Sequence, residues 1–210
     1  MKIAFFSDNF YPELSGISDS IIALAKELAK RGHKINFYVP KYQSKDYKIA
    51  NLPEQELFLG NNIKIHRLFS FPYPTATGQS RLVPPLFLSL SSIKKFSPDI
   101  IHSQLFFGVG LEALFAAKFN KIPLVGTNHT AITEFLHYSP IKAQWIKNLM
   151  LKYAVWYYNQ CDYVSAPSQS VFNEMSELGF YRPHKAISNP IDLEIFNDKS
   201  EIKGEVEEIR

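Results

Sequence analysis

Short apolar runs of strand length alternate along the chain with amphipathic stretches of helical period, and that alternation predicts a parallel sheet covered by helices on both faces. Strands are expected near 2–7, 34–39, 63–69, 99–103, 122–127, 162–166 and 185–188, and helices over about 17–31, 84–95, 108–119, 141–160 and 168–178. The first helix is the most legible. Ile17, Ile21, Ala25, Leu28 and Ala29 fall on one stripe while Lys26, Glu27, Lys30 and Arg31 face water. Gly32 suits a left-handed cap, after which Lys34 to Val39 resumes a strand. Ser70 to Pro85 carries Pro72, Pro74, Gly78, Pro84 and Pro85, which predicts a long loop. Ser168 reads as the N-cap of the helix that follows it. There is no internal repeat and no low-complexity tract.

Composition narrows the class without naming a chemistry. With 210 residues, 46% hydrophobic, 14% aromatic and 20% charged, the chain can bury one good α/β core. Its single cysteine, Cys161, excludes an internal disulfide, and no apolar run reaches spanning length. Met1 to Phe6 is too short for a secretory h-region, so a cytoplasmic location is expected. A net charge of +3 is modest, with no clustered arginine face, and argues against a nucleic-acid partner. After Asn197 the chain turns charged, so residues 1–196 are expected to form the domain and 197–210 a linker or the start of a helix.

Candidate chemistry gathers where apolar strands hand over to helices. Ser7-Asp8-Asn9-Phe10-Tyr11-Pro12-Glu13-Leu14-Ser15-Gly16-Ile17 joins the first strand to the first helix. Gly16 lacks a Cβ, so backbone N–H groups of the first turn can approach a phosphate, which the helix dipole favours. An ordinary helix-entry turn is the plainer reading of the same glycine. Gly16 stands alone after the first strand, so the G-x-G-x-x-G dinucleotide fingerprint is absent. Two further strands end at the same sheet edge. Pro98-Asp99-Ile100-Ile101-His102-Ser103-Gln104 precedes a small-residue helix start at Gly108-Val109-Gly110, and Ile122 to Thr127 leads into Asn128-His129-Thr130 and then His137-Tyr138. Three strands thus aim their carboxyl ends at one cleft, where open α/β sheets bind ligands. Each histidine also has a structural reading, as a side chain satisfied at a strand end.

These motifs resemble family-four glycosyltransferases of the GT-B fold. Asp8, Phe10, Pro12 and Gly16, then Arg31-Gly32-His33, look like that family's opening; Pro98 to Gln104 resembles its P-D-[IV]-[IV]-H-x-[HQ] stretch. Thr127-Asn128-His129-Thr130 through His137-Tyr138 is similar to the branch that glycosylates diacylglycerol-type lipids. The resemblance implies a Rossmann-like, acceptor-side amino-terminal domain of a retaining hexosyltransferase, with a nucleotide sugar as donor and no metal or other cofactor. By resemblance, Ser15 and Gly16 would meet the donor diphosphate, His129 would be catalytic, and Asp8, Arg81, His102, Gln104, Thr130, His137 and Tyr138 would line the acceptor cleft. A carboxy-terminal donor domain with an E-x₇-E motif is expected to follow. At Asn189-Pro190-Ile191-Asp192, Pro190 stands where the family usually has glycine, which stiffens the hinge loop and removes an N–H.

The acceptor is expected to be a membrane glycerolipid or another glycan or lipid hydroxyl. In residues 140–158, Trp145, Tyr153, Trp156, Tyr157 and Tyr158 mix with Lys142, Lys147 and Lys152, a combination suited to a lipid headgroup interface. The apolar residues there go nearly all round the helix, which also suits burial. Arg81 is a candidate for a lipid phosphate, or a solvated arginine. A non-catalytic module that binds an acceptor or partner stands as the alternative function.

Overall fold

The computed structural model of the protein describes residues 1–13, 15–73, 78–129 and 144–190. The elements are β1 (Lys2–Phe6), α1 (Gly16–Lys30), β2 (Lys34–Pro40), α2 (Ser44–Ile49), β3 (Ile63–Leu68), β4 (Phe71–Pro72), β5 (Arg81–Leu82), α3 (Leu90–Phe96), β6 (Ile100–Ser103), α4 (Gly108–Asn120), β7 (Leu124–Thr127), α5 (Gln144–Tyr158), β8 (Tyr163–Ala166), α6 (Gln169–Glu177) and β9 (His184–Ala186). Seven strands form one sheet in the order β3-β2-β1-β6-β7-β8-β9, every neighbouring pair parallel. The chain leaves β1 in one direction and returns to β6 on its other side, so the strand order reverses there and a crevice opens at the carboxyl ends of β1 and β6.

Alternation along β1 divides the core in two. Ile3 and Phe5 pack with Phe37, Val39 and the α1 residues Ile21 and Ala25, whereas Ala4 and Phe6 join Ile101, Leu124 and Val164 beneath residues of α3 to α6. The predicted stripe of α1 is observed, with Ile21 and Ala25 fully buried and Leu28 and Ala29 packed beside them. Gly32 takes φ +84, and His33 N–H donates to Leu28 O, closing the helix.

Three local expectations change, and one short helix is new. The helix anticipated over 84–95 begins only at Leu90, because the approach turns instead, with Leu86 N–H donating to Pro84 O and Phe87 at φ +59, and a buried carboxylate, Glu112, accepts from the N–H groups of Leu88 and Ser89. The Ser70–Pro85 stretch is an antiparallel pair, β4 with β5, with 74–77 outside the described residues. Helix α2 has no apolar periodicity to announce it; a capping box between Gln43 and Asp46 starts it. Ser168 occupies the N-cap position of α6, but its hydroxyl bonds Ser170 rather than a backbone N–H. Residues 141–143 and the expected linker 197–210 lie outside the described residues.

Candidate functional site

The first-strand loop delivers α1 to the carboxyl edge of the sheet. Ser15 is its N-cap, with the hydroxyl accepting from Ile17 N at 3.3 Å. Gly16 is exposed, and a Cβ built there would meet nothing within 4 Å. Both residues line a cavity of about 260 Å³ together with Glu13, Ser18 and Asp19. Ser18, missed by the sequence reading, is buried there with its hydroxyl unpartnered. Its serine between two apolar turns was the available signal.

Asp8 does something else. Its carboxylate accepts from Val109 N at 2.8 Å and Gly110 N at 3.3 Å, so it caps α4 from the far side of the crevice instead of facing a ligand. Burial raises its pKa to about 6, the backbone N–H groups pulling back against that and Glu13 adding to it. The small residues at the start of α4 are likewise a packing requirement: a Cβ on Gly108 would stand 1.9 Å from Val83 O, and one on Gly110 2.3 Å from Leu105 O.

Arg81 is neither solvated nor available to a lipid phosphate. It is buried, 3.6 Å from Asp46, and donates to Ser70 Oγ at 3.1 Å and to Ser70 O at 2.9 Å. With Gln79, which donates to Pro12 O and Asp46 O, it ties the 70–82 hairpin to the first-strand loop and α2. Glu13 belongs to the same layer, accepting from Tyr42, Asn9 and Ser80, and its burial raises its pKa.

The two strand-end histidines separate in role. His102 shares a sheet level with Phe5 and Val125, its ring lies tilted against Phe5 with centroids 5.1 Å apart, and its Nε2 bonds Thr127 Oγ1, which bonds Ser165 Oγ, each at 2.7 Å. That hydrogen-bonded row ties the ends of β6, β7 and β8 together and occupies Nε2 of His102. Burial lowers the His102 pKa to about 3. His129 stands past the end of β7, with Nε2 2.8 Å from Oε1 of Gln104 at the end of β6. Burial lowers its pKa to about 4, with the nearby Asn189 side chain opposing the shift, so the ring is neutral at pH 7. The Asn189 side chain is thus a second hydrogen-bonding neighbour of the His129 ring, while Nε2 of Gln104 is buried and makes no hydrogen bond. Thr130, His137 and Tyr138 lie outside the described residues, as does Asp192.

Helix α5 is less buried than an all-round apolar pattern suggests. Only Ala154, Val155, Tyr157 and Tyr158 are enclosed, while Trp145, Leu149 and Trp156 are 70%, 59% and 47% exposed. Among the described residues no helix is long and apolar enough to cross a membrane, and no cluster of His, Cys, Asp or Glu could hold a metal ion.

The open parallel sheet, with a glycine-opened helix at its carboxyl edge, is a Rossmann-like α/β domain. Residues 14–195 match the profile of Glycosyltransferase Family 4, and the chain belongs to that family. It is 30% identical over 98% of its length to an alpha-monoglucosyldiacylglycerol synthase of Streptococcus pneumoniae, covering 44% of that protein, and 25% identical over its whole length to one of Acholeplasma laidlawii, covering 51%. A GDP-mannose-dependent alpha-mannosyltransferase of Corynebacterium glutamicum is 24% identical over 85% of the chain and 41% of its own length. The chain thus spans about half the length of these curated relatives. Its fold is that of HepE from Anabaena, solved with UDP and glucose, at a TM-score of 0.64 and 17% identity, covering all of this chain and 50% of HepE.

Proposed function

We propose that the protein is the acceptor-side domain of a retaining glycosyltransferase that moves a hexose from a nucleotide sugar to a glycerolipid hydroxyl, the donor-gripping groups coming from a second domain. The single observation that carries the geometry is the placement of neutral, buried His129 at the same sheet edge as the exposed α1 terminus at Gly16. The acceptor class is supported by the names of the two glucosyldiacylglycerol synthase relatives.

In this reading the α1 N–H groups beside Gly16 face the donor diphosphate, where the helix dipole favours negative charge. The anomeric carbon–oxygen bond to the diphosphate breaks while the acceptor oxygen bonds the same carbon on the same face, and a departing phosphate oxygen takes the acceptor's proton. Stabilising charge on that leaving diphosphate is the main electrostatic task. His129, being uncharged, contributes by orienting the sugar rather than by neutralising phosphate. The exposed Trp145, Leu149 and Trp156, with Lys152 on the same face of α5, suit a headgroup interface that would bring the cleft to its lipid.

The test is turnover of UDP-glucose and GDP-mannose with diacylglycerol-containing vesicles, comparing residues 1–210 with the chain joined to a donor domain. Transfer to diacylglycerol by the two-domain protein is expected, and little by residues 1–210. Turnover by residues 1–210 alone at ordinary enzyme rates, ~1–1000 per second, would refute the division of labour. A two-domain protein that binds acceptor without ever transferring sugar would favour a non-catalytic binding module.

A further inference from the structure

The strap between α2 and β3 hangs on few bonds. Asn51 turns the chain at φ +55, and among the described residues no backbone hydrogen bond runs from 53–59 to another element. Its firm tether is an ion pair. Arg67, on β3, donates from Nε to Glu56 Oε2 at 2.9 Å and from Nη2 to Glu56 Oε1 at 2.7 Å, the two-bond fork of an arginine with a carboxylate. The guanidinium is held from behind as well: Nη1 donates to Pro40 O at 3.1 Å, and the ring centroids of Phe10 and Tyr42 lie 5.3 and 5.6 Å from Cζ. Burial alone would raise the Glu56 pKa, but Arg67 outweighs it and holds the carboxyl below its usual value, so the pair is ionised at pH 7. A lysine, with a point charge in place of the planar fork, could not serve Glu56 and Pro40 O together.

The other end of the strap reaches the mouth of α1. Leu52, whose N–H donates to Tyr47 O, lines the cavity of about 260 Å³ beside Gly16. With Tyr11 and Ile22 it supplies apolar lining; Ser15, Ser18, Glu13 and Asp19 supply the polar part, and none of the lining side chains is cationic. Because the lining reaches Ile22, the cavity runs along the flank of α1, away from the N–H groups at its tip. A phosphate on that flank would set its charge against two acidic side chains. An uncharged hydroxyl-bearing group on a hydrocarbon stem matches both halves of the lining. Sugar transfer also needs the acceptor oxygen close to the departing diphosphate, and a cavity bordering Gly16 adjoins that place.

We propose that Leu52 is a specificity-determining residue that walls the seat for the uncharged end of the acceptor, and that Arg67 is a positioning residue that holds this wall through Glu56. The proposal rests on the sugar-transfer reading above, but the latch is measurable without any ligand.

Limited chymotrypsin digestion of residues 1–210 reads the latch at Phe58, which is 79% exposed on the strap. Glu56→Gln and Arg67→Lys should each speed that cut about fivefold, the size expected of one half-exposed ion pair, and the double variant should be no faster than either. Glu56 lies at the surface, so Glu56→Gln keeps the test open even if Arg67→Lys misfolds. An unchanged cut, or effects that add in the double variant, overturns the latch. In the two-domain enzyme with UDP-glucose and dioctanoylglycerol, Leu52→Ala and Glu56→Gln should each raise the acceptor KM about fivefold, with kcat and the UDP-glucose KM unaltered. Phosphatidylglycerol, which offers glycerol hydroxyls beside a phosphate, should be a poor acceptor. An unmoved acceptor KM, or a rise confined to UDP-glucose, overturns the acceptor seat. A wild-type enzyme that glycosylates neither lipid, with Phe58 still protected by the latch, would strike the sugar-transfer reading and the seat with it, while the latch stands.

Discussion

Asp8→Asn is the sharpest test of how the crevice is built. The carboxylate bonds the first N–H groups of α4 across 101 residues of sequence, yet burial lifts its pKa from 3.8 to about 6. A carboxyl whose pKa is higher folded than unfolded favours the native state when protonated. Its stabilising share is therefore present in acid, declines as pH rises from about 3.8 to about 6, and is constant above that window. A shift of about two units at ~1.36 kcal/mol each makes the ionised folded protein less stable by about 3 kcal/mol than a neutral side chain would. Asparagine keeps the shape and one acceptor without that charge, at the loss of the second N–H contact. The variant should therefore gain about 2–3 kcal/mol relative to wild type between pH 4 and pH 8, which for a domain of this size is ~5–10 °C in Tm. Urea and thermal melts of both proteins at several pH values measure the difference, in which every titrating group not coupled to Asp8, as Glu13 is, cancels. A wild-type-to-variant offset that is the same at every pH would refute the burial of an ionisable Asp8.

Three other outcomes are expected. His129→Ala in the two-domain enzyme should reduce kcat about a hundredfold to a thousandfold, the range for one lost orienting hydrogen bond, with a small change in melting temperature; a lower Tm at normal kcat would make the histidine structural. Gly16→Val should leave the melting temperature nearly unchanged, since the added side chain meets open space, while calorimetry shows weaker donor binding; unchanged affinity would reduce the loop to a turn. Arg81→Ala should destabilise by ~3–5 kcal/mol in chemical denaturation by leaving buried Asp46 without its counter-charge, and an unchanged midpoint would refute the ion pair.

Much of the architecture was readable from the chain because sheet and helix leave short-range signatures. The apolar run in Lys2 to Phe6, the stripe from Ile21 to Ala29 and the stop at Gly32 depend on neighbours within a few residues, and each of these features appears where the sequence places it. The sheet edge carrying Gly16, Gln104 and His129 follows from the same signals, since parallel strands must all end on one side. Local signals failed where a partner lay far away in sequence. Arg81 reads as a surface cation until Asp46 and Ser70 enclose it, and Asp8 reads as a cleft acid until α4 arrives at its carboxylate. Glu112 lies inside an otherwise apolar run, and only the fold shows it accepting from the N–H groups of Leu88 and Ser89. His102 and His129 end neighbouring strands with similar local patterns. The sheet register gives the first to Thr127 and the second to Gln104, so two histidines with similar local patterns take different partners. Periodicity determines where the chain runs; which polar atoms are satisfied is decided only when distant strands meet, because the cost of an unpaired buried group depends on everything around it.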